Sequence, residues 1–150
     1  MPADLPPTTP AQPPVPVVSY DVGRHLEIIQ AIVTRMAGNS FLLKSWTVGL
    51  SAALFAAGAK EGSSLFPLVA LGPASAFWGL DAYYLRQERL YRRLYEDARR
   101  GEAPPYSLNI TPYASSVTSW PRTLRAPAVI GVHGGVVFAI LAVVTLIAFG

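Results

Sequence analysis

The last 25 residues, 126–150, contain no charged side chain, and this run constrains the fold more than any other feature. It outlasts the ~20 apolar residues that a helix needs to cross ~30 Å of hydrocarbon. Two further apolar runs lie upstream, at 40–59 and 64–85. The composition agrees: 51% of residues are hydrophobic and 14% charged, against about 25% charged in ordinary soluble domains. Mean hydropathy is +0.34. The expectation is an all-α membrane protein with three transmembrane helices, at 40–59, 64–85 and 127–149. So short a chain leaves little room for a soluble domain, so a complex function calls for an oligomer or a partner. With no cysteine, disulfides, thiol catalysis and cysteine metal sites are excluded.

Residues 1–18 hold seven prolines and no basic residue. Proline at this density opposes helix and favours extended or disordered chain, and a signal peptide needs a positive start and an apolar middle. This segment is expected to be a disordered tail. Over 19–39, Leu26, Ile29, Val33 and Met36 recur at helical steps with Ile28 and Ile32 beside them, predicting an amphipathic helix with Asp21 as its N-cap. It leads into the first span, where Lys44 can snorkel toward headgroups. Pro67 and Pro73 are expected to kink the second span. That span then continues into an Arg-rich helix, and the segment 86–125 completes the region before the third span.

Charge placement predicts the topology. Of twelve basic residues, Lys60 alone falls in the turn between the first two spans. The excess of Lys and Arg on cytoplasmic segments puts the N-terminus and 86–125 inside, the Lys60 turn and C-terminus outside. Trp46, Trp78 and Trp120 then fall at the inner interface, where indoles sit well. A hairpin turning near residue 62 pairs positions that sum to about 124, which sets Lys44 opposite a residue near 80. Asp81 is its expected partner, because either charge alone is costly in lipid. The pair can be a latch fixing the hairpin or part of a pore.

The helix after span two holds six arginines and three acids within 85–100. Arg86, Arg89, Arg93 and Arg100 form one stripe; Tyr84, Tyr91, Leu94 and Tyr95 form another face. Glu88–Arg92, Arg93–Asp97 and Glu96–Arg100 are candidate i,i+4 pairs. Arginine beside tyrosine grips phosphates and stacks bases. It also suits a helix leaving a membrane against anionic lipids, and the residues alone favour that lipid reading. Gly101 is placed to end the helix, and 106–113 are expected to be extended. In span three, Gly131 and Gly135 form a G-x-x-x-G that favours close helix packing in an oligomer. His133, inside that cluster, and Thr145 are the polar groups deep in the span. His133 is either functional or a neutral interhelical hydrogen-bonding group, and Thr145 can bond its own helix. No HExxH, GxSxG or Walker sequence occurs and two histidines make no metal constellation, so no enzyme, metal or cofactor is expected.

The set Asn39-Ser40-Phe41, Lys44, Trp46, Phe77-Trp78, Leu80-Asp81, Tyr83-Tyr84-Leu85, Glu88-Arg89, Arg92 and Leu94-Tyr95 resembles small bacterial transmembrane effectors of anti-phage defence. These include the membrane subunit of the Hailong system and, more loosely, two-transmembrane effectors found beside nucleotidyltransferases (SMODS/SLOG-associated). The resemblance covers residues 28 to 100 and leaves out the third span and the Pro-rich start. It implies an oligomeric inner-membrane ion channel, a homo-tetramer being the first expectation. A nucleotide or single-stranded oligonucleotide from a partner nucleotidyltransferase would control it. Opening would depolarise the infected cell and stop phage replication, an abortive infection. The resemblance raises the phosphate-binding reading of Arg86, Arg89, Arg93 and Arg100, with Tyr91 and Tyr95 as stacking residues, above the lipid one. Lys44, Asp81, His133 and Thr145 are the pore or intramembrane polar residues. The alternative is a non-conducting membrane anchor or accessory subunit that recruits a cytoplasmic partner through the Arg-rich helix.

Overall fold

The computed structural model describes residues 19–149; the Pro-rich segment 1–18 lies outside them. The described chain is helical without strands. It runs through α1 (Val22–Glu61), α2 (Leu65–Val69), α3 (Leu71–Arg100), a 3₁₀ turn (Thr111–Tyr113), α4 (Trp120–Thr123) and α5 (Pro127–Phe149). The helices Val22–Glu61, Leu65–Arg100 (counting α2 and α3 together) and Pro127–Phe149 are long and apolar enough to cross a membrane.

The helix expected over 19–39 and the span it leads into form one unbroken 40-residue helix, α1, about 60 Å long. Asp21 caps it, its carboxylate accepting the Arg24 N–H at 3.2 Å. No proline or adverse glycine geometry interrupts it before Gly62, which takes φ 59° to end it. The Ser63 N–H then closes onto the Gly58 carbonyl at 3.0 Å. A Cβ on Gly58 would sit 2.7 Å from Pro67 Cδ, so glycine lets α2 fold tightly back on α1.

The expected kink in the second span is a break at Ala70, between α2 and α3. Pro73 lacks the N–H that would bond the Val69 carbonyl, while the Ala74 N–H reaches Ala70 O at 3.1 Å. Beyond the break, α3 continues without interruption through the arginine-rich segment, about 45 Å, and ends at Gly101 with φ 75°. The Glu102 N–H bonds the Asp97 carbonyl at 2.9 Å, satisfying one of the last orphan carbonyls.

Three packed layers hold the helices together. Toward the arginine end, Ile29 and Val33 of α1 meet Leu94 and Ala98 of α3, with Ala103, Ile110 and Tyr113 of the connecting segment closing over them. In the middle, Ala82, Val129 and Ala126 pack with Trp78, Leu85 and Leu124. Toward the Lys60 end, Ala70, Ala74 and Ile140 pack with Leu54 and Phe55. The α1–α3 hairpin therefore projects well beyond any ~30 Å apolar slab as a two-helix stalk.

The segment expected to be extended, 106–113, departs from extended backbone at both of its ends. Tyr106 has φ 54°, the Thr111 N–H bonds Asn109 Oδ1 at 3.0 Å, and 111–113 wind into a 3₁₀ turn. Short side-chain-to-backbone bonds of this kind compete with strand pairing.

Candidate functional sites: a buried polar junction and an arginine cleft

The first site is built around Asp81, which is 0% exposed although it lies in a span. Lys44 of α1 reaches it with Nζ 2.7 Å from Oδ2 and 2.7 Å from Oδ1. The Ser40 hydroxyl, one turn earlier on α1, also donates to Oδ1 and accepts from Lys44 Nζ at 2.8 Å. From α5, His133 Nε2 lies 3.1 Å from Oδ2. All three spans thus meet on one carboxylate. The hairpin register predicted the Lys44–Asp81 pairing; the sequence did not reveal that His133 completes it.

His133 is fully buried. Its Nδ1 lies 3.3 Å from Thr47 Oγ1, and the Trp78 indole stacks on it with centroids 6.2 Å apart at 11°. Trp78 Nε1 donates to the Leu124 carbonyl at 2.9 Å, and Trp120 Nε1 returns to the Gly79 carbonyl at 3.0 Å. These two indoles fasten the segment before α5 to α3, which fixes the height of His133. Ser40 and Thr47 are members of this junction that the sequence reading did not assign to it. The signal was present: Ser40, Lys44, Thr47 and Ser51 are spaced 4, 3 and 4 apart, one helical face, in a run whose only other hydroxyl is Ser45.

This polar face stops inside the bundle. Past buried Ser51, the apolar Leu54, Phe55, Ala70, Ala74 and Ile140 fill the layer. Thr145 takes no part in it: the residue is exposed and its hydroxyl bonds Leu141 O of its own helix at 2.8 Å. Gly131 and Gly135 face away as well, and a Cβ on either meets nothing within 4 Å. They are not consumed by packing within the chain.

The second site is a cleft of about 680 Å³ on the stalk, walled by Arg89, Arg92 and Arg93 of α3, Gln30 of α1, and Ser116 and Thr118 of the connecting segment. Arg92 is tied to Glu88 at 2.7 Å. Arg89 and Arg93 form no ion pair among the described residues, so two of the three guanidinium groups are uncommitted. Tyr95 also lines the cleft. Hydroxyl and amide groups opposite paired guanidiniums are suited to phosphate oxygens and a sugar or base.

The four-arginine stripe divides in the fold. Arg100 is held by Asp97 and by Glu102 at 3.1 Å; Glu102 chiefly, with Asp97, raises its proton affinity further. Arg86 donates Nη2 to the Ala114 carbonyl at 3.3 Å. Neither lines the cleft. Tyr91 and Tyr95 both pack against the Ile29–Leu94 core, and of the two Tyr95 alone lines the cleft. The expected pairs Arg93–Asp97 and Glu96–Arg100 are replaced by Arg100–Asp97 and Arg99–Glu96 at i,i+3. Glu102, beyond the helix, draws Arg100 toward the C-terminus.

At the tip of the stalk the fold assembles a clasp without a sequence signal. His25, 0% exposed, has Nε2 2.9 Å from the Ser107 carbonyl, 82 positions away, and Nδ1 3.1 Å from Tyr20 Oη. The Asp21 N–H donates to Tyr106 Oη at 3.0 Å. Tyr20 and Tyr106 meet edge to face, 5.3 Å apart. The clasp holds the connecting segment against α1 and thereby maintains one wall of the cleft. No protein-family model, curated protein or solved structure matches the chain.

Proposed function

We propose that the chain is the subunit of an oligomeric ion channel in the bacterial inner membrane, an anti-phage effector controlled by a nucleotide or oligonucleotide bound in the arginine cleft. A partner nucleotidyltransferase supplies that ligand, and opening collapses the membrane potential. In this reading the arginine end is cytoplasmic and the Lys60 turn and C-terminus face outward, as the distribution of basic residues favours.

One observation carries the reading: α3 bears both the carboxylate shared by all three spans and, about two to three turns further on, uncommitted Arg89 and Arg93 in a cleft. Arg89 and Arg93 lie about 12 and 18 Å along α3 from Asp81. A rigid helix joining a soluble-ligand cleft to an intramembrane junction can pass a shift from one to the other. That distance also favours a soluble phosphate ligand over a lipid headgroup. The pore forms between subunits, since the polar face within one subunit ends at Leu54 and Phe55. The exposed Gly131 and Gly135 on α5 supply a close-packing face for neighbouring copies.

The test is ion flux from proteoliposomes with and without a short single-stranded oligonucleotide, paired with binding to protein in neutral nanodiscs. Binding should be salt-dependent, and Arg89→Gln with Arg93→Gln should weaken it and flatten that dependence, as fewer counterions are released. Absence of any oligonucleotide binding to the wild type would remove the ligand reading. The enclosed state of Asp81 and His133 favours a second reading, a non-conducting anchor that recruits a cytoplasmic partner through the stalk. It predicts no flux under any condition.

A further inference from the structure

His133 is surrounded by acceptors on both edges of its ring. Thr47 Oγ1 carries one proton, which its 2.8 Å bond to the Leu43 carbonyl uses. The 3.3 Å contact from Thr47 Oγ1 to His133 Nδ1 is then a hydrogen bond only if the imidazole supplies the proton. On the other edge, Nε2 faces Asp81 Oδ2 at 3.1 Å. Asp81 receives the Ser40 hydroxyl and the Lys44 ammonium, the environment of an ionised carboxylate that only accepts. Trp78 lies nearly parallel to the ring, with centroids 6.2 Å apart, and helps to enclose it. A neutral imidazole has one N–H and satisfies only one of these two edges.

We propose that His133 is a proton-binding site inside the bundle, and that the junction of the three spans is built for its doubly protonated form. The proton on Nδ1 makes the α5–α1 link through Thr47, and the proton on Nε2 makes the α5–α3 link through Asp81. Lys44 from α1 and Asp81 from α3 are the charged groups facing it; α5 brings no other ionisable side chain. Losing the Nδ1 proton forces Thr47 either to abandon Leu43 or to release α5.

The Lys44 side chain is 20% exposed and gives the junction its contact with the surface. Toward the Lys60 turn, Leu54, Phe55, Ala70, Ala74 and Ile140 fill the layer. This inference does not depend on a ligand in the arginine cleft.

The test uses the full chain in lipid bilayers with isotope-labelled histidine, read by nitrogen NMR from about pH 8 to about pH 5. The chain has two histidines, so His25→Gln leaves the His133 signals alone; subtracting the His133→Gln spectrum assigns them if the clasp variant misfolds. On acidification, Nδ1 of His133 should gain a proton while Nε2 stays protonated. Thr47→Val should lower proton affinity at Nδ1 about tenfold, a displacement of about one pH unit, and Thr47→Ser should restore it. An Nδ1 that remains unprotonated throughout, or a Thr47→Val variant titrating like the wild type, overturns the proposal.

Discussion

Lys44 and Asp81, 37 positions apart in sequence, join α1 to α3 through a 2.7 Å ion pair in which the lysine keeps contact with the surface and the aspartate has none. The asymmetry gives the two partners different roles. Lys44→Met leaves a buried carboxylate with no ammonium, a change of the kind that costs about 3–5 kcal/mol. Asp81→Asn should cost less, because Lys44 can turn outward and snorkel. The double variant should recover part of the loss, giving a non-zero coupling in a double-mutant cycle. Unfolding equilibria in bicelles measure all three; additive losses would mean that the pair does not act as a latch.

Glycines in this chain serve two separable purposes. Gly58→Ala should destabilise the α1–α2 hairpin by about 1–3 kcal/mol, because the added Cβ lies 2.7 Å from Pro67 Cδ and 3.0 Å from the Ser63 carbonyl. Gly131→Leu and Gly135→Leu find open space within the subunit, so they should leave monomer stability intact and weaken oligomers. Thermal unfolding and oligomer mass in detergent separate the two classes. Unchanged mass for both leucine variants would remove these glycines from the interface.

Tyr91 and Tyr95 are neighbours on α3 with opposite expected phenotypes. Tyr91→Ala removes packing from the Ile29–Leu94 core and should loosen the stalk, seen as faster amide exchange there. Tyr95 borders the cleft; its loss should weaken oligonucleotide binding by about 1–3 kcal/mol if a base stacks on it. Because Tyr95 also touches the core, its binding loss is to be compared with that of Tyr91→Ala. Equal losses would indicate a purely structural effect.

The stalk should weaken under alkaline conditions. Burial, reinforced by the Asp97 carboxylate, raises the Tyr113 phenol above its ordinary value. A group raised on folding adds stability that is complete below its unfolded value, about 10 for tyrosine, and lost as pH climbs through the folded one. Tyr113→Phe keeps the ring and removes the proton, so its stability should fall less steeply than the wild type's above about pH 10. Chemical denaturation across that range reads the difference.

Orientation rests on charge distribution and has a direct check. A reporter fused after residue 150 should be active only on the far side of the membrane from the cytoplasm. A cytoplasmic signal would reverse the assignment of the stalk.

Local and periodic information sufficed for much of this architecture. Apolar run length marked three spans. Asp21 and Gly101 marked helix ends, because caps depend on adjacent residues. The Lys44–Asp81 register followed from counting outward from one short turn. Other features required the tertiary structure. α5 is apolar around nearly its whole circumference, so its sequence carries no signal for which side faces the bundle. Only the assembled helices bring His133 to Asp81, 52 positions away, and turn Gly131 and Gly135 outward. The arginine stripe was legible as a pattern, but which of its members are paired depended on the carboxylates the fold brings to each, Asp97 and Glu102 for Arg100. The Tyr20–His25–Tyr106 clasp had no sequence signature at all, since its partners are held together by chain reversal through two long helices and not by spacing along either one.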